Sequence, residues 1–224
     1  MLTYSQLADR VATSYIEAPK LVMRRGRGLA QVTIDPIIHA ADDIRLVLDQ
    51  RDDELLVVVP GTTDAAGWLD DFASWPRHFA ELSWYHEGFG SKGIPLFRAL
   101  MPHLPPTVTA TMTTYVGHSL GAALAVTLAI LHQRSFLGPY RLVTFGCPRA
   151  AAIWNFQAPS YLSTAHDKKR FSRMGDPIPH VPPLLLAFKH LMRNSLIGTP
   201  TRSIDPMSNH DIKLYASDLK TLNL

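Results

Sequence analysis

A serine framed by two glycines, Gly117-His118-Ser119-Leu120-Gly121, stands between a β-rich run, Thr107 to Val116, and an apolar run, Ala122 to Leu131. A turn that passes directly from strand to helix puts such a serine in a strained backbone conformation, with its hydroxyl raised above the sheet. The flanking glycines lack the Cβ atoms that would collide where strand and helix pass closest. The serine then sits at a helix N-terminus, whose amides and dipole favour developing negative charge. The segment therefore reads as the turn of an activated nucleophile, against the plainer reading of a small-residue turn without chemistry. A serine nucleophile needs a base, an acid and an oxyanion-binding loop, so the rest of the chain tests the reading.

Around this turn the chain alternates between strand and helix patterns. Tyr4 to Tyr15 has helical spacing of its apolar positions. Ile44–Leu48 and the continuous apolar run Leu55–Val59 read as a hairpin whose second strand is fully buried. The stretch from Asp64 to Pro76 is amphipathic, with Trp68, Leu69, Phe72 and Trp75 near helical spacing; it reads as a helix packed on the core or as a cover over an apolar site. A helix from His86 through Leu100 follows, then the strand into Ser119 and the helix Ala122–Gln133. Arg141–Gly146 and Arg170–Met174 read as further strands. Four prolines between Pro177 and Pro183 argue against a helix there. Leu184 to Ile197 is ambiguous, with Leu184–Leu186 and Phe188 candidates for an acyl pocket or for core. Asn209 to Leu222 reads as a last helix capped by an asparagine or serine. This alternation predicts one α/β domain over residues 1–224 with a mostly parallel central sheet flanked by helices.

Composition excludes several classes. The single cysteine, Cys147, rules out an intramolecular disulfide and a cysteine-rich metal site, and buried packing is its expected role. Net charge is only +3, and the clusters Arg24–Arg27 and Lys168–Arg170 come with no nucleic-acid-binding motif. No stretch approaches the ~20 apolar residues of a membrane span. The N-terminal residues read as a mixed helix rather than a secretory leader. The chain is therefore expected to be cytoplasmic, or exported without a cleavable leader.

The partners of Ser119 follow by elimination. No glutamate occurs after Ser119, and the only later carboxylates are Asp167, Asp176, Asp205, Asp211 and Asp218. In nucleophile-elbow folds the chain order is Ser, Asp/Glu, His. Asp211 and Asp218 fall in the last helix and read as surface charges. Asp167 lies in a turn with its own counter-ions, and Asp205 in a loop. Asp176 directly follows a strand, at the sheet edge where catalytic loops gather. Of the later histidines, His180 is four residues beyond Asp176 in the proline run, and His190 sits among apolar neighbours; His210, after a polar loop, is the favoured base. The oxyanion donors are then the backbone N–H of Leu120 and the loop leaving the apolar strand, Pro60-Gly61-Thr62-Thr63, with Thr62 offering N–H and hydroxyl. The alternative for Thr62 or Thr63 is a helix cap.

This set of segments resembles the class 3 lipase family of fungal-type triacylglycerol lipases. The resemblance is carried by Val59–Thr62, Trp68-Leu69-Asp70-Asp71, His86–Phe89, Gly117–Ala122, Thr144–Arg149, Gly175–Pro179 and His210–Tyr215, and it covers about residues 44 to 215. It implies an α/β-hydrolase fold without a cofactor or metal. Position by position it implies Ser119 as nucleophile, Asp176 as acid, His210 as base, Thr62 and Leu120 as oxyanion donors, and a lid containing Trp68, Leu69, Phe72 and Trp75. Pro60 stands where the family usually has arginine. The implied activity is a serine esterase or lipase acting on acyl esters such as acylglycerols, with transient lipid-interface contact. The alternatives are a phospholipase, peptidase or thioesterase on the same scaffold, or a non-catalytic lipase-like binding protein.

Overall fold

A computed structural model describes residues 1–15, 30–34, 46–51, 53–62, 74–105, 111–135 and 137–224, with side chains excluded at 30–34 and 206. Seven strands form the main sheet: β1 (Ala30–Ile34), β2 (Leu46–Gln50), β3 (Glu54–Val59), β6 (Met112–His118), β7 (Tyr140–Phe145), β9 (Asp167–Arg173) and β11 (Asn194–Ile197), in the order β1-β2-β3-β6-β7-β9-β11. β2 and β3 pair antiparallel, as the hairpin reading expected; β1, which the sequence did not suggest, pairs antiparallel with β2, and all pairings from β3 onward are parallel. A second sheet, not foreseen from the sequence, is formed by β4 (Pro76–Phe79), β5 (Ser83–His86), β8 (Ala151–Ala152) and β10 (Phe188–Lys189) in the order β10-β8-β5-β4.

Alternate residues of each strand face opposite sides of a sheet, and here they feed two separate cores. Leu55, Val57, Val59, Tyr115 and Leu142 pack with α2 (Glu87–Leu100) and α3 (Leu120–Arg134) on one face. Leu56, Val58, Val116, Val143 and Phe145 pack with α1 (Tyr4–Ser14) and a C-terminal helix, Ile212–Thr221, on the other. α1 starts at a capping box in which Thr3 and Gln6 satisfy each other's backbone amides. α3 is buried from Leu120 to His132, so it is apolar on all sides rather than amphipathic. It carries the segment that begins at Ser119 through the middle of the molecule.

Several expectations need correction. The last helix starts at Ile212, not Asn209, because Asp211 caps it by accepting from Lys213 N–H, while 206–210 form a 3-10 turn. Asp167 is not in a turn: it opens β9 and pairs with Arg141 at 2.9 Å. The proline run holds one 3-10 turn, Ile178–His180, since a turn that short needs few of the amides proline lacks. Leu184 and Leu185 are exposed, neither core nor an enclosed pocket, whereas Phe188 is fully buried. Residues 63–73 lie outside the described ones, and with them Trp68, Leu69 and Phe72; Trp75, at the edge of β4, is 70% exposed and does not pack on the core. Cys147 is buried, and burial pushes its thiol up to about 12.

Among the described residues, four histidines are held neutral by burial. His86 is stacked on Phe89 and lowered to about 4, and His190 is lowered to about 3; His118 and His132 are also lowered, each mainly by desolvation. Their folded pKa values lie below the ordinary ~6.5 of unfolded histidine. The unfolded state therefore binds more protons in that window, and stability is lost as pH falls through it. The thermal midpoint should be flat above about pH 7 and drop progressively from about pH 6.5 toward about pH 4. A calorimetric midpoint that does not fall across this range would contradict the assignment.

Candidate active site

Ser119 sits between β6 and α3 with φ 58° and ψ −129°, a combination ordinary L-residues avoid and that persists only where the surroundings enforce it. Its N–H donates to the carbonyl of Phe145 at 3.1 Å. The two framing glycines supply space rather than unusual torsion. A Cβ at Gly117 would lie 2.2 Å from the Gly121 carbonyl oxygen, and one at Gly121 would lie 2.0 Å from the Val59 carbonyl oxygen. Strand, helix and the end of β3 thus meet at a separation only glycine allows. Ser119 Oγ is buried and has no hydrogen-bond partner among the described residues.

Asp176 follows β9 after Gly175 and is 2% exposed. Three donors converge on its carboxylate: Ile178 N–H reaches Oδ1 at 2.9 Å, while His210 Nδ1–H at 2.8 Å and the Tyr215 hydroxyl at 2.5 Å reach Oδ2. Tyr215 is held protonated, its pKa raised well above 10 by burial and by the adjacent carboxylate, so it remains a donor. Gly146, with φ +57°, makes room: a Cβ there would stand 2.7 Å from His210 Cε1 and 3.0 Å from Asp176 Oδ2. With Nδ1 donating to Asp176, the lone pair of His210 lies on Nε2. That atom is buried and has no partner among the described residues. The structure therefore joins Asp176 to His210 directly, and leaves Ser119 Oγ and His210 Nε2 both unengaged, with no hydrogen bond between them.

A chain of hydrogen bonds ties the three parts of the site together. Gly61 N–H donates to the Tyr15 hydroxyl at 2.8 Å, the Tyr15 hydroxyl donates to His118 Nδ1 at 2.6 Å, and His118 Nε2–H donates to the His210 carbonyl at 2.8 Å. The directions are fixed by the last bond, because a neutral imidazole that donates from Nε2 must accept at Nδ1. His118 is kept neutral by burial and then by the neighbouring His210 ring, stacked on it at 4.3 Å. The Gly61–Thr62 loop, the Ser119 turn and His210 are thereby held in one register. A Cβ at Gly61 would meet Ser119 Cβ at 2.7 Å, which places this loop against the elbow. Thr62 is half-buried immediately beyond it. Leu120 is the first residue of α3, and its amide is one of the four at a helix start that lack an intrahelical acceptor.

Tyr15→Phe removes the central link of this chain. It should lower kcat/KM about tenfold through loss of ~1.4 kcal/mol of positioning, mostly in kcat. Steady-state kinetics within twofold of the wild type would show that the link does no positioning.

Tyr15, the His118 ring and Tyr215 were not singled out by sequence reasoning for any role. His118 and Tyr215 lie within segments that were noticed, whereas the Tyr15–His118 bond spans 103 residues and leaves no local signal. Among the described residues no cluster of three or more His, Cys, Asp or Glu is placed to hold a metal ion, and no helix is long and apolar enough to cross a membrane.

Sheet order, elbow and acid loop together define an α/β-hydrolase fold. The chain matches the model of the family Lipase (class 3) over residues 56–186, more than half its length, and belongs to that family. Among similar proteins, the secreted mono- and diacylglycerol lipase 1 of Fusarium solani is 26% identical over 63% of this chain and 43% of its own. The secreted mono- and diacylglycerol lipase A of Penicillium cyclopium is 32% identical over 46% of this chain and 32% of its own. The chain thus spans less than half the length of these curated relatives. The crystal structure of a mono- and diacylglycerol lipase from Aspergillus oryzae superposes with a TM-score of 0.66 at 18% identity, covering 91% of this chain and 83% of that one. The expectation of a cytoplasmic chain, or one exported without a leader, is corrected by these comparisons: the relatives are named as secreted proteins, which points to export.

Proposed function

We propose that the protein hydrolyses carboxylic esters of lipids, acylglycerols foremost, through an acyl-enzyme on Ser119. The observation that carries this reading is the buried Asp176–His210 pair beside a strained serine, with Ser119 Oγ and His210 Nε2 the two unengaged atoms between them. His210 Nε2 takes the hydroxyl proton as Oγ attacks the ester carbonyl, and later returns it to the leaving alcohol. Asp176 orients the ring and stabilises the imidazolium, itself kept in place by Tyr215 and Ile178. The tetrahedral oxyanion is met by the amides of Leu120 and Thr62, each such donor worth on the order of 3 kcal/mol. Water then repeats the sequence on the acyl-enzyme.

Lipid esters are favoured over soluble ones by two considerations. The Fusarium and Penicillium relatives are named for mono- and diacylglycerol. The second sheet and its connections also expose apolar side chains: Trp84 against Trp154 at 6.1 Å, with Ile153, Phe156, Leu184 and Leu185 on the segments flanking β8 and β10. Such a surface suits transient contact with a lipid interface.

The test is hydrolysis of p-nitrophenyl esters of graded chain length, with Ser119→Ala as control. Wild-type activity should rise toward longer acyl chains and fall by about four orders of magnitude or more in the variant. An inactive wild type would favour a lipid-binding protein without catalysis, and activity retained by Ser119→Ala would overturn the nucleophile.

A further inference from the structure

A cavity of about 440 Å³ is lined by residues of β9, β11 and the Ile178–His180 turn, and neither Ser119 nor His210 lines it. Its walls carry three arginines, Arg149, Arg170 and Arg173, with His180 and His190, and no carboxylate among the described residues. Arg173 is neutralised elsewhere, since its Nε donates to Asp218 at 2.8 Å. The other two guanidiniums are not. Arg170 is only 7% exposed, and its hydrogen bonds go to neutral groups, the Met192 carbonyl at 3.2 Å and Ser172 Oγ at 3.2 Å. Arg149 donates to the carbonyls of His180 and Pro182. Among the described residues neither has a carboxylate within ion-pair distance.

An arginine cannot shed its proton to escape burial, so it holds a full charge in this cavity. Removing a charge from water without a counter-charge is unfavourable. Both arginines and His190 line the same cavity. The net charge of the whole chain is only +3, so the concentration of positive charge is local. An anion would supply the counter-charge that these side chains lack among the described residues. Two planar guanidinium forks across one cavity match a tetrahedral oxyanion with several acceptor oxygens. The volume exceeds that of phosphate alone and leaves room for a small organic substituent on it. The rim is open, because Met174, His180 and Asn194 are exposed.

We propose that this cavity is a binding site for a phosphate group, free or esterified, held by Arg149 and Arg170. The site is separate from the ester-hydrolysing residues, although Gly175, which lines it, leads directly into Asp176.

Titration calorimetry on the full chain tests this, at constant ionic strength set by sodium chloride. One arm uses inorganic phosphate, and a second uses phosphatidylcholine vesicles doped with phosphatidic acid, against undoped vesicles. Saturable heat in the first arm identifies a soluble phosphate site. Saturation in the second arm alone identifies a lipid phosphomonoester. In either case Arg170→Met or Arg149→Ala should weaken binding by about tenfold or more, the usual consequence of losing a charge-assisted pair. Heats in both arms no larger than the chloride and undoped controls would overturn the site, as would binding unchanged in both variants. Should Arg170→Met fail to fold, Arg149→Ala, altered at a half-exposed position, decides by the same criterion.

Discussion

Replacing Asp176 by asparagine is expected to lower kcat/KM by about 10³- to 10⁴-fold with the fold retained. The carboxylate accepts from three donors, at Ile178, His210 and Tyr215. An amide has a single acceptor oxygen, so it cannot serve Oδ1 and Oδ2 together. If its oxygen stays with His210 and Tyr215, its NH₂ faces the Ile178 N–H, donor against donor. If it turns, the NH₂ faces His210 Nδ1, which must then accept and transfer its hydrogen to Nε2. The imidazole then presents N–H instead of a lone pair to Ser119 and can no longer act as its base. The loss should fall mostly in kcat, and the unsatisfied group should reduce stability by ~1–3 kcal/mol. Kinetics on a p-nitrophenyl ester with circular dichroism alongside checks both parts. A variant within tenfold of wild-type kcat/KM would remove Asp176 from the proposed mechanism.

The largest effect on stability is expected from Gly121→Ala. A methyl there would stand 2.0 Å from the Val59 carbonyl oxygen and 2.4 Å from that of Pro60. Both obstacles are backbone at the end of a central strand, so no rotamer change relieves them. β3 and α3 must separate by more than an ångström, which opens the tightest contact under the elbow. Overpacking of this kind costs about 3 kcal/mol or more, and for a chain of this size it lowers the thermal midpoint by ~10 °C. Activity should fall further than stability alone requires, because Val59 and Pro60 lead into the Gly61–Thr62 loop. Gly88→Ala is the internal control: the nearest atoms to its added methyl belong to the His86 side chain at 3.5 Å, ordinary contact distance, so the midpoint should barely change. Equal midpoints for the two variants would contradict the packing described for the elbow.

The parts of the fold legible in the sequence share a physical character. Leu55–Val59 of β3 is a continuous apolar run, and β7 is buried along its whole length, because both faces of the sheet are covered there, and the elbow needs glycines where backbones touch. Asp176 and His210 could be chosen by elimination because carboxylates and histidines are few after Ser119, and the structure joins them at 2.8 Å. The second sheet was not legible. β8 and β10 are two residues each, too short for any period to register, and they exist because distant segments meet. The start of the last helix was misplaced because Asn209 is also a good capping type. In the fold, Asn209 instead accepts from Arg173 and from Thr201 N–H, and Asp211 provides the cap. The Tyr15–His118 link and the phosphate cavity are products of tertiary approach alone. Arg170 read as part of a basic cluster beside Lys168 and Lys169, yet the two lysines are exposed while Arg170 points inward.

The nucleophilic role of Ser119 is tested most directly by a fluorophosphonate carrying an alkyl chain. Oγ attacks phosphorus, fluoride leaves, and the hydroxyl proton passes to His210, giving a stable phosphonyl-serine. Intact-mass and peptide mass spectrometry should find a single phosphonyl group on Ser119, none on Ser119→Ala, and much slower labelling of His210→Ala. A folded wild-type chain that remains unlabelled, or that carries the label on another residue, would contradict the proposed acyl-enzyme mechanism.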